Sequence, residues 1–193
     1  KGRGRFDRLW QSSCGESLTV SVIARDGGPA SAPWLVGMQM ASIAAQAVDC
    51  DLQWPNDLVS NGRKLGGVLT EYVGGVAIIG VGINLNQKSF PPELRGRATS
   101  ILIERGELSD PMKVAARLVD LWQMREFITS WDGLATAWNT RDKTIGKSYV
   151  LPDGSVAIAK GVSEKGFLTA EANGKECVIA AADALSGTSV AGG

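Results

Sequence analysis

Apolar and polar positions alternate through "SLTVSVIAR", with Leu18, Val20 and Val22 on one side, and this period of two predicts a strand with one buried face. "GGPASAP" ends the alternation. Val36, Met40, Ile43, Ala44 and Ala47 then recur at helical spacing, predicting a buried helix to about Val48, with Pro33 suited to its first turn and Ser31 near enough to cap it. The most organised stretch is "LQWPNDLVSNGRKLGGVLTEYVGGVAIIGVGINLNQ". Asn61-Gly62 and Gly74-Gly75 are hairpin punctuation that divides it into three strand-like runs, an antiparallel meander. Lys88 to Ser109, with Pro91-Pro92, reads as loop. Asp110-Pro111 is a cap followed by a first-turn proline, starting a helix with Val114, Leu118, Leu121 and Trp122 on its apolar stripe. A second helix is predicted around Asp132 to Arg141, with Leu134 and Trp138 inward. From Ile145 the pattern changes to short strands separated by turns such as Pro152-Asp153-Gly154 and Asn173-Gly174, which predicts a small β-barrel. The closing "SGTSVAGG" reads as a frayed end. The class is α+β: a mixed or antiparallel sheet backed by helices, then the barrel.

Composition narrows the chemistry. With 44% hydrophobic residues in 193, the chain can bury a core. Its 20 Lys and Arg balance 20 Asp and Glu, so a general nucleic-acid or membrane-surface binder is not expected. Cys14, Cys50 and Cys177 lack metal-ligand spacing and suit a reducing cytoplasm. No apolar run reaches the roughly 18 residues that span a bilayer. Histidine is absent, which removes imidazole acid–base chemistry and histidine-ligated metals. Any reaction must therefore use Arg, Lys, Asp, Glu, Asn or backbone.

Four stretches carry candidate chemistry. "KGRGRFDRLW" places four basic side chains and two glycines in ten residues, which suits a phosphate loop, a nucleic-acid arm or a solvated end. In "WPND", Pro55 keeps Trp54 out of helical geometry. Asn56 then offers a donor and an acceptor of the kind that reads a purine edge, and Asp57 offers a carboxylate to a metal or an amine. The same four residues also make an ordinary structural turn. Lys64, before Gly66 and Gly67, can neutralise a phosphate or carboxylate lying on bare backbone, or be a hairpin lysine in solvent. Gly80 and Gly82 interrupt the apolar strand "GVGINLN", where they suggest a closely approaching ligand or neighbouring backbone.

In order and combination these stretches resemble the biotin protein ligase family, also called biotin–[acetyl-CoA-carboxylase] ligase. "GRGRFDRLW" is similar to the family's Gly-Arg-Gly-Arg loop, "QWPNDLVSNGRKLGGVLTE" to its Lys-Trp-Pro-Asn-Asp segment and hairpin, "GVGINLN" to its Gly-Ile-Gly-Ile-Asn strand, and "ATSI" with Glu104 to the segment downstream. The resemblance covers nearly the whole chain. It implies a class II synthetase-like catalytic domain over residues 1–143 and an SH3-like β-domain over 144–193. The implied reaction joins biotin to ATP as biotinyl-5′-AMP, then transfers biotin to one lysine of a biotin carboxyl carrier protein, the subunit of acetyl-CoA carboxylase. Biotin and ATP are the implied substrates, with Mg2+.

Residue by residue, the resemblance implies that Gly2, Arg3, Gly4 and Arg5 cover biotin and phosphate, Arg5 also being catalytic. Lys64 would sit at the biotin carboxylate and the α-phosphate, and Gly66, Gly67, Leu69, Gly80 and Gly82 would lie beside biotin. Trp10, Asn56 and Asn84 would contact adenine. Asp57 is a third catalytic candidate and the candidate Mg2+ contact. The arginine loop is expected to act as a lid. Asp7 stands where the family loop has glycine, and Gln53 where it has lysine. The Ser-Thr-Asn segment and the glutamine that hold the biotin ureido ring in the family would fall upstream of Lys1. These residues alone are therefore expected to bind biotin poorly, and without a helix-turn-helix no operator DNA binding is expected. No membrane association is expected either, and the protein is expected to be a monomer or homodimer in the cytoplasm. Two other classes fit parts of the pattern: a related lipoate or octanoate acyl ligase or transferase, and a noncatalytic nucleic-acid or peptide-binding module.

Overall fold

The computed structural model describes residues 2–4, 9–10, 12–25, 32, 34–126, 128–151, 153–180 and 185–186. Arg5, Asp7, Ser31, Pro33, Pro152, the turn of the expected lid and the tail beyond Ser186 lie outside the described residues.

The antiparallel meander forms, but with four strands in place of the three expected, because a turn at Trp54–Asn56 breaks the first run into two paired strands. β3 (Ser17–Ala24), β4 (Asp51–Gln53), β5 (Asp57–Ser60), β6 (Arg63–Val73) and β7 (Val76–Asn84) make one antiparallel sheet in the order β3-β7-β6-β5-β4. Asn61 and Gly62 both take positive φ, 48° and 73°, and so close the β5–β6 hairpin with the twist that two-residue turns favour. One face of the sheet is covered by α1 (Trp34–Val48), which buries nearly its whole circumference. Along β7, Ala77, Ile79, Val81 and Ile83 are buried against the helix layer, while Ile78, Gly80 and Gly82 face the other way and are only partly covered. The candidate site lies on that other face.

α3 (Pro111–Gln123) begins at the predicted cap, with the Asp110 side chain accepting from Met112 N–H at 2.9 Å. α4 (Trp131–Asn139) follows, and both helices pack on α1. The region expected to be loop contains α2 (Ile101–Arg105), capped by Ser100, and a short 3-10 turn at Pro92–Leu94. Five residues are too few to display a helical period. A second departure lies at the start of the chain, where β1 (Gly2–Arg3) pairs antiparallel with β2 (Leu9–Trp10). Two-residue strands leave no alternation to read.

β8 (Ser148–Val150), β9 (Val156–Val162), β10 (Leu168–Ala172), β11 (Lys175–Ile179) and β12 (Leu185–Ser186) form a second antiparallel sheet in the order β11-β10-β9-β8-β12. Among the described residues no ladder joins β11 to β12, so the expected barrel is an open sheet here. It is fastened to the first sheet through Trp54. The Trp54 amide donates to Thr144 Oγ1 at 2.8 Å and its indole Nε1 to the Gly166 carbonyl at 2.9 Å, while the Tyr149 hydroxyl donates to the Trp54 carbonyl at 2.9 Å. Gly166 has φ +72°, and a Cβ there would sit 2.5 Å from the Trp34 ring, so the contact requires glycine. No described helix is long and apolar enough to cross a membrane.

Candidate functional site

Residues 64 and 67 lie three apart on β6 and in a regular strand would face opposite sides of the sheet. They do not, because the β5–β6 register slips: Asp57 pairs with Gly67 and Leu58 with Gly66, but Val59 pairs with Lys64. Leu65 is the extra residue of a β-bulge. Such bulges re-aim side chains, and this one swings Lys64 onto the open face beside Asp57 and Gly67. A Cβ placed on Gly67 would lie 3.6 Å from Lys64 Cε and 3.4 Å from Asp57 Oδ1. The Lys64 ammonium donates to Asp57 Oδ1 at 2.6 Å. Lys64 is 45% exposed and Asp57 14%, so an incoming anion reaches the cation before the carboxylate. An ion pair this open to water contributes up to about 1 kcal/mol, little enough for a substrate anion to compete for the ammonium.

Across the same face, Gly67 pairs with Gly82, and Gly82 with Thr19. The Trp10 indole lies flat on Gly82, where a Cβ would come within 2.9 Å of the ring. Gly82 is thus a seat for a side chain of the opening hairpin. The Trp10 Nε1 hydrogen is buried and has no partner among the described residues. Gly80 is more open: the nearest group to a Cβ there is the Leu69 carbonyl at 3.7 Å. Leu69, opposite Gly80, is partly covered on this face. Gly4 is half-buried, and Gly2 and Arg3 enter through their backbone pairing with β2.

Three candidates stand differently from their expected places. Gly66 belongs to the helix side of the sheet: its Cβ would collide with the Gly82 carbonyl at 2.5 Å and Leu58 Cδ1 at 2.9 Å, so it serves packing and not ligand approach. The Asn84 amide is buried and committed, donating to the Thr99 carbonyl at 3.0 Å and accepting from Gln87 Nε2 at 3.1 Å. The Asn56 side chain donates to the Val68 carbonyl, whose own amide donates back to the Asn56 carbonyl at 2.9 Å. Asn56 is therefore sewn to β6 at the edge of the face.

Sequence reasoning gave Glu104 no role. Its carboxylate accepts from Arg63 Nη2 at 2.7 Å, from Asn61 Nδ2 at 2.5 Å and from the Thr99 hydroxyl. Burial, the largest influence on Glu104, raises its pKa, yet the hydrogen bonds from Thr99 and Asn61 and the Arg63 charge together outweigh it and hold the group below the usual value. Among the described residues no cluster of three or more His, Cys, Asp or Glu is placed to hold a metal. A cavity of about 470 Å³ lies between α1, α3 and α4, lined by Gln39, Ser42, Leu121, Ile128 and Leu134 among others, and no residue of the open sheet face borders it.

An antiparallel sheet with helices on one face and a glycine-lined, lysine-bearing surface on the other fits an acyl-ligase domain, and a model of the biotin/lipoate A/B protein ligase family matches residues 1–87. The biotin–[acetyl-CoA-carboxylase] ligase of Mycobacterium tuberculosis is 31% identical over 202 residues, taking in 95% of this chain and 74% of that protein. The bifunctional ligase/repressor BirA of Bacillus subtilis is 30% identical over 197 residues, covering 89% of this chain and 59% of the relative. Biotin protein ligase from Aquifex aeolicus in complex with biotin and ATP shares the fold, with a TM-score of 0.71 at 23% identity over 95% of this chain and 83% of that one. The chain belongs to the biotin protein ligase family. It spans 58% and 59% of the length of the two Bacillus BirA relatives it matches.

Proposed function

We propose that the protein is an ATP-dependent biotin ligase. A biotin carboxylate oxygen attacks the α-phosphorus of ATP, the bond to the β-phosphate breaks, and biotinyl-5′-AMP and pyrophosphate form. An acceptor lysine of a biotin carboxyl carrier protein then attacks the biotinyl carbonyl carbon. AMP leaves, and the amine gives up its proton as the amide forms. The observation that carries this reading is the Lys64 ammonium, turned by the bulge onto the open face over Gly67 and paired with a single, shielded carboxylate.

The first step brings two anions together, so its main requirement is fixed positive charge where negative charge collects. Lys64 meets it as a fixed charge, without the imidazole that this chain lacks. In this reading Gly67, Leu69 and Gly80 form the surface under biotin, and Arg3 and Arg5 complete the cation set from the opening loop. Trp10, lying on Gly82, offers a flat apolar plane for adenine, with Asn56 at the edge. Asn84 contributes by fixing the end of β7. Asp57 holds the lysine ready and stands where an acceptor amine delivers its proton. Asp57 is one carboxylate and would contact Mg2+ only together with the nucleotide phosphates, whose negative charge the ion would help to neutralise. Residues 1–143 are proposed as the catalytic domain and 144–193 as a C-terminal domain that braces it through Trp54.

The test is to incubate the intact protein with ATP, biotin and a carrier-protein domain, then locate by mass spectrometry the lysine that gains a biotinyl group. Lipoate and octanoate in place of biotin form the comparison arm. Modification with biotin alone is expected. Modification with lipoate alone would assign the site to the other branch of the matched family.

A further inference from the structure

We propose that Glu104 is a positioning residue for Lys64, acting through the segment 97–99; the proposal rests on the role given to Lys64 above. The β6–β7 ladder begins only at Gly66, opposite Ile83. At Lys64, therefore, β5 lies on one side and β7 is missing from the other. The 97–99 segment takes its place: Lys64 N–H donates to the Arg97 carbonyl, and Thr99 N–H donates to the Lys64 carbonyl, both at 2.8 Å. A bulge leaves its strand locally unpaired and free to twist, so this borrowed pairing fixes the direction in which Lys64 leaves the backbone.

Glu104 is what holds the borrowed strand. Thr99, which forms half of the bridge and is fully buried, donates its hydroxyl to Glu104 Oε1. Arg63, the residue before Lys64, donates to the same oxygen at 2.7 Å, and Asn61 of the hairpin turn donates to Oε2 at 2.5 Å. One carboxylate, 5% exposed, thus ties together the turn that opens β6, the residue beside Lys64 and the segment that pairs with Lys64. None of these bonds reaches the ammonium itself. The action of Glu104 on chemistry must pass through the aim of Lys64, since a misplacement of about 1 Å at a reacting group can cost roughly 100-fold in rate.

The experiment is biotin-dependent exchange of labelled pyrophosphate into ATP by the intact protein, with thermal melts of every variant. Glu104→Ala is expected to lower kcat by about 10- to 100-fold, with little change in KM for ATP. Glu104→Gln, which keeps an acceptor for Arg63 and Thr99, is expected to restore the rate to within about threefold of the parent. The deciding comparison is Lys64→Ala with and without Glu104→Ala. If Glu104 acts through Lys64, the double variant is no slower than Lys64→Ala alone. A double variant slower by the whole factor of the Glu104→Ala single, a Gln variant as slow as the Ala variant, or a parent-like rate in Glu104→Ala overturns the proposal. Should Glu104→Ala give no cooperative melt, Thr99→Val in the same cycle carries the test with the same outcomes. A parent-like rate in Lys64→Ala would instead strike down the role of Lys64, and this inference with it.

Discussion

Gly66 and Gly67 are adjacent on β6 and, by the ordinary alternation of a strand, face opposite sides of the sheet, so one methyl group added to each should do opposite things. At Gly66 the new Cβ would lie 2.5 Å from the Gly82 carbonyl oxygen, 2.9 Å from Leu58 Cδ1 and 3.3 Å from Ile83 Cα. The first and last are backbone of β7 and cannot swing aside, so the strands must part. Overpacking of this kind typically costs about 1 to 3 kcal/mol. At about 2 kcal/mol, a chain of this size should lose roughly 4 to 8 °C in Tm. At Gly67 the Cβ would meet Asp57 Oδ1 at 3.4 Å, the Asn56 carbonyl at 3.5 Å and Lys64 Cε at 3.6 Å, all ordinary contact distances. Alanine is a better strand residue than glycine by roughly 0.5 to 1 kcal/mol, so Gly67→Ala should melt at or slightly above the parent temperature. Its methyl nevertheless fills the surface beside Lys64 on which biotin is proposed to lie. The assays are differential scanning calorimetry and biotin-dependent pyrophosphate release. Gly67→Ala is expected to keep its Tm and lose about tenfold or more in turnover, and Gly66→Ala to lose Tm. A parent-like melt for Gly66→Ala would refute the close packing of β6 against β7 at this position, and a fully active Gly67→Ala would move biotin off this face.

Three further outcomes follow from particular groups. Tyr149→Phe leaves the buried Trp54 carbonyl without the hydroxyl that donates to it at 2.9 Å, so a loss of about 1 to 3 kcal/mol is expected in denaturant titration; an unchanged midpoint would mean the bond does not anchor the C-terminal sheet. Burial pushes the Cys50 thiol up to about 12, so it stays protonated near neutrality and should be silent to a thiol reagent in the native protein while exposed Cys14 reacts; rapid labelling of Cys50 would contradict its placement. Because the folded protein holds Glu104 below its ordinary pKa of 4.5, the stability it adds is present above that pH and lost as pH falls through the lowered value. The Tm gap between the parent and Glu104→Gln should therefore be largest near neutrality and shrink in acid; a gap that widens in acid would reverse the sign of this linkage.

Much of the frame was legible along the chain because its signals are local. The Asn61-Gly62 turn, the Asp110-Pro111 cap and the alternation in β3 each lie within a few residues and act through backbone geometry. The site was legible only as a set of residue types. That Lys64 and Gly67 share a face depends on the one-residue slip at Leu65, which no residue there announces. Gly82 carries a visible cost to its strand, but its occupant is Trp10, 72 residues earlier in the chain. Asn84 and Gly66 look like neighbours of a ligand in sequence, whereas long-range contacts commit one to Thr99 and Gln87 and the other to packing against β7. Glu104 gathers partners 41 and 43 residues away, and only the folded chain brings them together.

The Lys64 ammonium is proposed as the charge that lets a biotin carboxylate meet the α-phosphate, and pyrophosphate exchange into ATP reads that step before any carrier protein is needed. The parent protein is expected to exchange label only when biotin is present, and Lys64→Ala to fold normally while losing roughly 100- to 1,000-fold of that rate, the usual effect of removing one charge-stabilising group. Exchange in Lys64→Ala within about threefold of the parent, or exchange in the parent that ignores biotin, would contradict this proposal.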